Sequence, residues 1–259
     1  MKSQFKIWAI LTITLCAVVG FALVPDDEED AEPLIKKISL KAIQDTDSLN
    51  AVNDSLMAQA EDTVQVHEVD TTKQNILLFG DSMIERLARP FASYCLANGH
   101  DFNSVCWYSS TSRQWSMTDT LQYFIDKFKP TYIMVCLGGN ELFVKDIDAR
   151  EKNVRKILKT IGDRPFVWIG TPNWKPDTGI GEIHRRLVGM DRYYESDKLT
   201  LKRSSDGAHP TFEAAKAWMD SVAVFVNSLD NKHPIVFQKY TQEAKNTEKH
   251  LTLLQPMAM

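Results

Sequence analysis

The sequence predicts an α/β protein built on a parallel sheet. After Lys73, short β-branched or aromatic runs alternate with amphipathic helical stretches. The runs are apolar without polar alternation, as in strands covered on both faces. The stretches between them are long enough to return the chain to the same end of the sheet, for which right-handed crossovers are nearly obligatory.

In chain order, the predicted strands are Asn75–Phe79, Phe102–Tyr108, Tyr132–Leu137 and Phe166–Gly170. A short fifth is sought around Asp191–Tyr194 or Lys198–Leu201. Helices are predicted over Ser82–Asn98, Ser116–Phe128, Ala149–Ile161 and Thr211–Leu229. Met83, Phe91 and Leu96 read as the buried face of the first helix. The result is one domain over residues 74–230, about 155 residues and of ordinary single-domain size. The tail, 231–259, shows no pattern that assigns it a role.

The beginning of the chain is different. Lys2 and Lys6 precede an uncharged apolar run from Ile7 to Val24, which ends at Pro25 and the acidic Asp26–Asp30. Residues 1–24 therefore read as an export signal or an uncleaved membrane anchor, with the basic flank on the cytosolic side. The expected location is outside the cytosol: anchored in the cytoplasmic membrane facing the periplasm or exterior, or secreted if the signal is cleaved. Cys16 follows Leu15, where a lipidation signal needs a small residue, so it reads as a cysteine in an apolar helix. Residues 25–73 are acidic, polar and poor in aromatics, the composition of a flexible spacer.

Composition narrows the function. The 259 residues carry 30 Lys and Arg against 34 Asp and Glu, a net charge of −4, without the basic excess that binding to a phosphate backbone requires. The four cysteines form no CxxC and no Cys/His cluster, so no zinc site, disulfide framework or cofactor is expected. Cys95, Cys106 and Cys136 read as buried free thiols.

In an open parallel sheet, ligands bind beyond the carboxyl ends of the strands. Here the first strand ends in Gly80-Asp81-Ser82, the third in Gly138-Gly139-Asn140-Glu141 and the fourth in Gly170-Thr171-Pro172-Asn173-Trp174. Asp206-Gly207-Ala208-His209-Pro210 precedes the last helix. A serine at a strand-to-helix turn suits a nucleophile, because the helix N-terminus offers N–H groups to a developing oxyanion. Its hydroxyl needs a base, and the base an orienting partner. His209 and Asp206, three residues apart on one loop, supply both, and Asn140 can donate through its amide without competing as a base. Taken singly, each segment also has a plain structural account as a helix cap, a turn or a solvent-facing loop histidine.

With these three segments in this order, the chain from about Asn75 to Leu229 resembles the SGNH hydrolase superfamily, also called GDSL-type esterases. The resemblance implies a flavodoxin-like three-layer α/β/α sandwich with a sheet of about five parallel strands. It implies Ser82 as nucleophile, His209 as general base and then acid, Asp206 as its orienter, and Asn140 with the Ser82 backbone N–H as oxyanion donors. The family usually has a glycine after the second strand as a further backbone donor. This chain has Tyr108-Ser109-Ser110-Thr111-Ser112 there, and the equivalent position is expected at Ser112, with Ser110 and Thr111 as alternatives. The other departure is Glu141, where the family more often has Asp, which is expected to alter loop support rather than chemistry.

Trp107, Tyr108, Trp115 and Trp174 flank the predicted site. Trp107 reads as core, while Trp115 and Trp174 lie in polar loops and, with Asn173, are candidates for contact with a sugar ring. Asp177 and His184, near the fourth loop, read as surface positions, with contact to substrate as the alternative. The expected activity is a serine esterase that removes O-acetyl or similar short acyl groups from a cell-envelope or environmental carbohydrate, with no metal. Two alternatives are a lipase- or thioesterase-type acylhydrolase and a membrane-anchored acyl-transfer or glycan-binding subunit.

Overall fold

The computed structural model describes residues 67–257. The expected signal or anchor (1–24) and nearly all of the expected spacer (25–73) lie outside the described residues. Among the described residues no helix is long and apolar enough to cross a membrane.

Six parallel strands form one sheet: β1 (Asn75–Gly80), β2 (Asp101–Trp107), β3 (Tyr132–Cys136), β4 (Phe166–Ile169), β5 (Tyr193–Tyr194) and β6 (Leu251–Leu254), in the order β5-β4-β3-β1-β2-β6. The helices are α1 (Met83–Ala97), α2 (Ser112–Met117), α3 (Thr120–Phe128), α4 (Ile147–Ile161), α5 (Ile180–Val188) and α6 (Phe212–Val226). Alternate residues of each strand face opposite layers. Ile76 and Leu78 join α1 and α6 residues such as Leu87, Phe91, Trp218 and Val222 in one core. Leu77 and Phe79 join Phe124, Val154, Ile157 and Ile183 in the other. This is the predicted three-layer sandwich, and both cores are apolar because both faces of the sheet are covered.

Several sequence expectations change. The second expected helix, Ser116–Phe128, is divided: a separate short helix, α2, precedes α3. Leu96 is exposed at the end of α1, although Met83 and Phe91 are buried as read. The two-residue β5 is the weak fifth strand, and α5 was not anticipated.

The largest correction concerns residues 231–259, which are no detached tail. Tyr132 donates its hydroxyl to the His233 carbonyl (3.1 Å), and Phe237 stacks on Tyr94 at 5.1 Å. Leu251–Leu254 then pair with Ser104–Trp107 as an edge strand, and Trp107 donates its indole N–H to the Gln255 carbonyl (3.0 Å). The lower boundary also shifts. Asp70 donates its N–H to Pro234 (2.8 Å) and accepts one from Val236 (3.2 Å), so the end of the expected spacer belongs to the domain.

Candidate active site

The strand register aligns the loops that carry the motifs. Gly80 pairs with both Cys106 and Cys136, Cys136 with Ile169, and Ile169 with Tyr194, so five strands release their chains from one row. At Gly80 a side chain is impossible, since a Cβ would lie 1.7 Å from the Cys136 carbonyl oxygen. The close approach lets the next amide, of Asp81, donate to that carbonyl (3.1 Å), and Ser82 follows as the N-cap of α1.

Ser82 Oγ lies 2.8 Å from His209 Nε2, and His209 Nδ1 lies 2.9 Å from Asp206 Oδ2. An ionised carboxylate can only accept, so Nδ1 carries the hydrogen and Nε2 is left to accept the Ser82 hydroxyl. Asp206 is held in that ionised form. Its Oδ1 accepts the backbone N–H groups of His209 (2.9 Å) and Ala208 (2.8 Å), and together with the His209 side chain these lower its pKa to about 2. His209 is 26% exposed and Asp206 46%, so the site is open to a large substrate.

Asn140 donates one amide hydrogen to the Ser110 carbonyl (2.9 Å), which fixes the side chain and leaves its second hydrogen for a ligand. The backbone N–H of Ser82 has no protein acceptor among the described residues. Both groups expected from the sequence as oxyanion donors thus keep a hydrogen free for a ligand.

Ser112 does not fill the role expected of it. Its N–H donates to Glu141 Oε2 (2.8 Å) and its hydroxyl to Oε1 (2.7 Å), and the residue is fully buried. The two alternatives are occupied as well: Ser110 N–H donates to Trp107 (3.2 Å) and Thr111 N–H to the Gln114 side chain (3.0 Å). The residue of this loop in the left-handed conformation that favours glycine is Ser109, at φ 55°, and its N–H has no protein acceptor among the described residues. The sequence carries no signal for this, because serine has no preference for that conformation.

Trp115 is also corrected. It is 2% exposed, packs on Phe79 (4.7 Å) and Trp107 (5.2 Å), and gives its indole N–H to Ser110 Oγ (2.9 Å), so it supports the loop from within and meets no sugar. Trp174 is half-buried and donates to the Gly139 carbonyl (2.9 Å), and the exposed Phe143 meets it edge-on at 6.3 Å. Asn173 gives its carbonyl to Arg203 (3.1 Å) and keeps a half-buried side chain.

Two buried carboxylates hold the oxyanion side together. Asp81, 1% exposed, accepts from Met83 N–H and Gly139 N–H, both at 3.0 Å, tying the Ser82 turn to the Asn140 loop. Burial raises its pKa to about 6 against the pull of those N–H groups. Glu141, in addition to Ser112, has Arg150 Nε 3.3 Å from Oε1, and burial raises its pKa while Ser112 and Arg150 oppose the rise. The expected loop-support role of Glu141 thus has a definite partner.

Arg203 has no counterpart in the sequence reading. It donates to the carbonyls of Ala208 (2.9 Å), Pro172 (3.1 Å) and Asn173 (3.1 Å), joining the histidine loop to the loop after β4. His184 and Asp177 are structural rather than surface positions. His184 is buried on Trp168 (4.6 Å), which lowers its pKa to about 3, and Asp177 accepts the first N–H groups of α5. Cys95, Cys106 and Cys136 are buried free thiols, as read. Among the described residues no group of three or more potential ligands is placed to hold a metal ion.

No family model matches the chain, and neither does any curated protein. Among solved structures it is similar to a candidate lipolytic protein of the G-D-S-L family from Desulfitobacterium hafniense DCB-2, at 13% identity and a TM-score of 0.45, covering 58% of this chain and 98% of that one. The resemblance to SGNH hydrolases stands instead on this chain's own geometry: three motif segments on one sheet edge, with Ser82, His209 and Asp206 linked by hydrogen bonds.

Proposed function

We propose that this chain is a serine esterase that removes O-acetyl or similar short acyl groups from a carbohydrate through an acyl-enzyme on Ser82. The observation that carries this reading is the unbroken hydrogen-bond chain from Ser82 through His209 to Asp206. A serine hydroxyl alone is too weak a nucleophile at neutral pH, and this arrangement removes its proton as attack begins.

Ser82 Oγ attacks the ester carbonyl carbon while its proton passes to His209 Nε2. The negative charge that develops on the carbonyl oxygen is met by the Ser82 N–H and the free Asn140 amide hydrogen, with the Ser109 N–H in place of Ser112 as a third donor. The ester C–O bond then breaks, and the departing sugar oxygen takes the proton from His209. Water attacks the acyl-enzyme with His209 again as base, releasing the acid and restoring Ser82. Asp206 stays ionised throughout and stabilises the imidazolium.

The carbohydrate substrate is favoured by the openness of the site and by the exposed Phe143 beside Trp174, since apolar ring faces suit the C–H faces of sugars. The apolar run Ile7–Val24 favours an exported or membrane-anchored enzyme, acting on the cell envelope or its surroundings.

The test compares the full chain with its Ser82→Ala variant on p-nitrophenyl acetate and acetylated polysaccharides, with folding followed by circular dichroism. The parent should release acetate, and the folded variant should lose about 10⁴-fold or more in kcat. A folded variant that hydrolyses as fast as the parent would remove Ser82 from the chemistry.

A further inference from the structure

A cavity of about 160 Å³ opens between α1, α6 and the C-terminal segment, and the residues that line it adjoin the triad in sequence. Arg86 lies one helical turn beyond Ser82, about 6 Å further along the α1 axis and on the same face. Phe212 and Glu213 follow His209 at the start of α6. None of Ser82, His209, Asp206 and Asn140 lines the cavity itself, which adjoins the triad through Arg86 on α1 and Phe212 at the start of α6.

The charges in this cavity are unevenly matched. Lys216 (2.6 Å) and Arg89 (3.2 Å) both pair with Glu243, so one carboxylate serves two cations. Arg86 makes no ion pair and no hydrogen bond among the described residues, and its Nε is buried without a partner. Its guanidinium lies 4.3 Å from the centroid of the exposed Phe212 ring, an arrangement that leaves the in-plane fork of N–H donors free. Tyr240 lines the same cavity, is 8% exposed, and has a buried hydroxyl without a partner. Unpartnered buried polar groups are uncommon in folded proteins, and the two residues that carry them here line one cavity, which points to a ligand that supplies an acceptor.

The balance of charge selects that acceptor. Three cations and two carboxylates line the cavity, an excess of one positive charge, which suits a monoanion better than a phosphate dianion. The guanidinium fork pairs with a carboxylate as it does with a phosphate, and the single excess charge favours the carboxylate. The volume is comparable with that of a cavity that accepts a single six-membered ring.

We infer that this cavity binds a carboxylate carried by the leaving group of the ester, with Arg86 and Tyr240 as donors, so that the substrate is an acylated acidic saccharide containing a uronate. The inference rests on the esterase reading for the identity of the ester, but the binding site is testable without it.

Binding is therefore read separately from turnover. Full-length Ser82→Ala protein is titrated by calorimetry with trigalacturonate and with uncharged galactotriose. The acidic trimer should bind at least tenfold tighter. Adding Arg86→Gln should abolish that preference, Arg86→Lys should restore part of it because the charge returns without the fork, and Tyr240→Phe should reduce it. Circular dichroism checks folding, and if Arg86→Gln fails to fold, the lysine and phenylalanine variants decide. Equal affinity for the two trimers, or an unchanged preference in the Arg86 and Tyr240 variants, overturns the inference. An Arg86-dependent preference in a chain whose parent releases no acetate would sink the esterase reading and leave the carboxylate site standing. Acetate release without any preference for the acidic trimer would do the reverse.

Discussion

The two halves of the site are built in opposite ways. The half proposed to transfer protons, residues 203–210, sits at the surface and is held mainly by its own backbone. Arg203 and Pro210 form an antiparallel bridge, Ser204 N–H donates to the His209 carbonyl (2.8 Å), and Asp206 accepts two local amides. The half proposed to bind the oxyanion, Gly138–Glu141, is anchored by carboxylates that are almost fully buried: Asp81, directly after β1, and Glu141 from the loop itself. A base must exchange protons with water and admit a leaving group, whereas oxyanion donors work by being fixed before charge develops. Damage to the first half should therefore appear in catalysis, and damage to the second in stability.

The largest effect expected is that of Asp206→Asn. The amide can still accept the Ala208 and His209 N–H groups, but it no longer selects the tautomer with hydrogen on Nδ1, so kcat should fall about 10⁴-fold. The thermal midpoint should move by no more than a degree or two, given how exposed the side chain is. A large loss of thermal stability with modest loss of kcat would break the contrast between the halves.

Glu141→Ala should do the opposite first. It leaves the Ser112 N–H and hydroxyl buried without an acceptor and removes the carboxylate beside Arg150, a change that costs about 3–5 kcal/mol in comparable buried sites. Urea denaturation measures it directly, and a loss below about 1 kcal/mol would show that the buried carboxylate is not what anchors the loop.

The smallest effect is a pH dependence from Asp81. Its pKa is raised by burial to about 6 from an ordinary 3.8, so the folded state holds this proton more tightly than the unfolded chain does. Its contribution is therefore most favourable below pH about 4 and is lost as pH rises through about 6, amounting to at most about 3 kcal/mol. Asp81→Asn cannot titrate, so the stability of the parent relative to this variant should decline between pH 4 and pH 7. A difference that stays flat across that window would show that Asp81 is ionised throughout.

What could be read from the sequence was short-range. Ser82, Asn140, Asp206 and His209 each sit within a few residues of a strand end or a helix start, where local pattern and chemical need coincide. Ser112 was misplaced because its competitor for the N–H, Glu141, lies 29 residues away, and no local pattern shows that contact. Trp115 was misread for a related reason: polar neighbours in sequence conceal a side chain that turns inward onto Phe79. Leu251–Leu254 escaped because four residues of an edge strand, mostly half-exposed, show neither alternation nor a continuous apolar run of useful length. Nothing in the sequence sets Arg86 apart from other charged helix residues, since only its lack of a partner distinguishes it.

The position of β6 also has a consequence in time. Strand β2 is synthesised long before its outer neighbour, and at ordinary translation rates the interval between Trp107 and Leu254 is on the order of ten seconds. Late in that interval, once β3, β4 and β5 have been made, a nascent chain whose inner strands have paired presents the bare hydrogen-bonding edge of β2 to its surroundings, the kind of surface on which other strands add. The sheet is sealed on that side only when residues 251–254 have been made and have paired with β2.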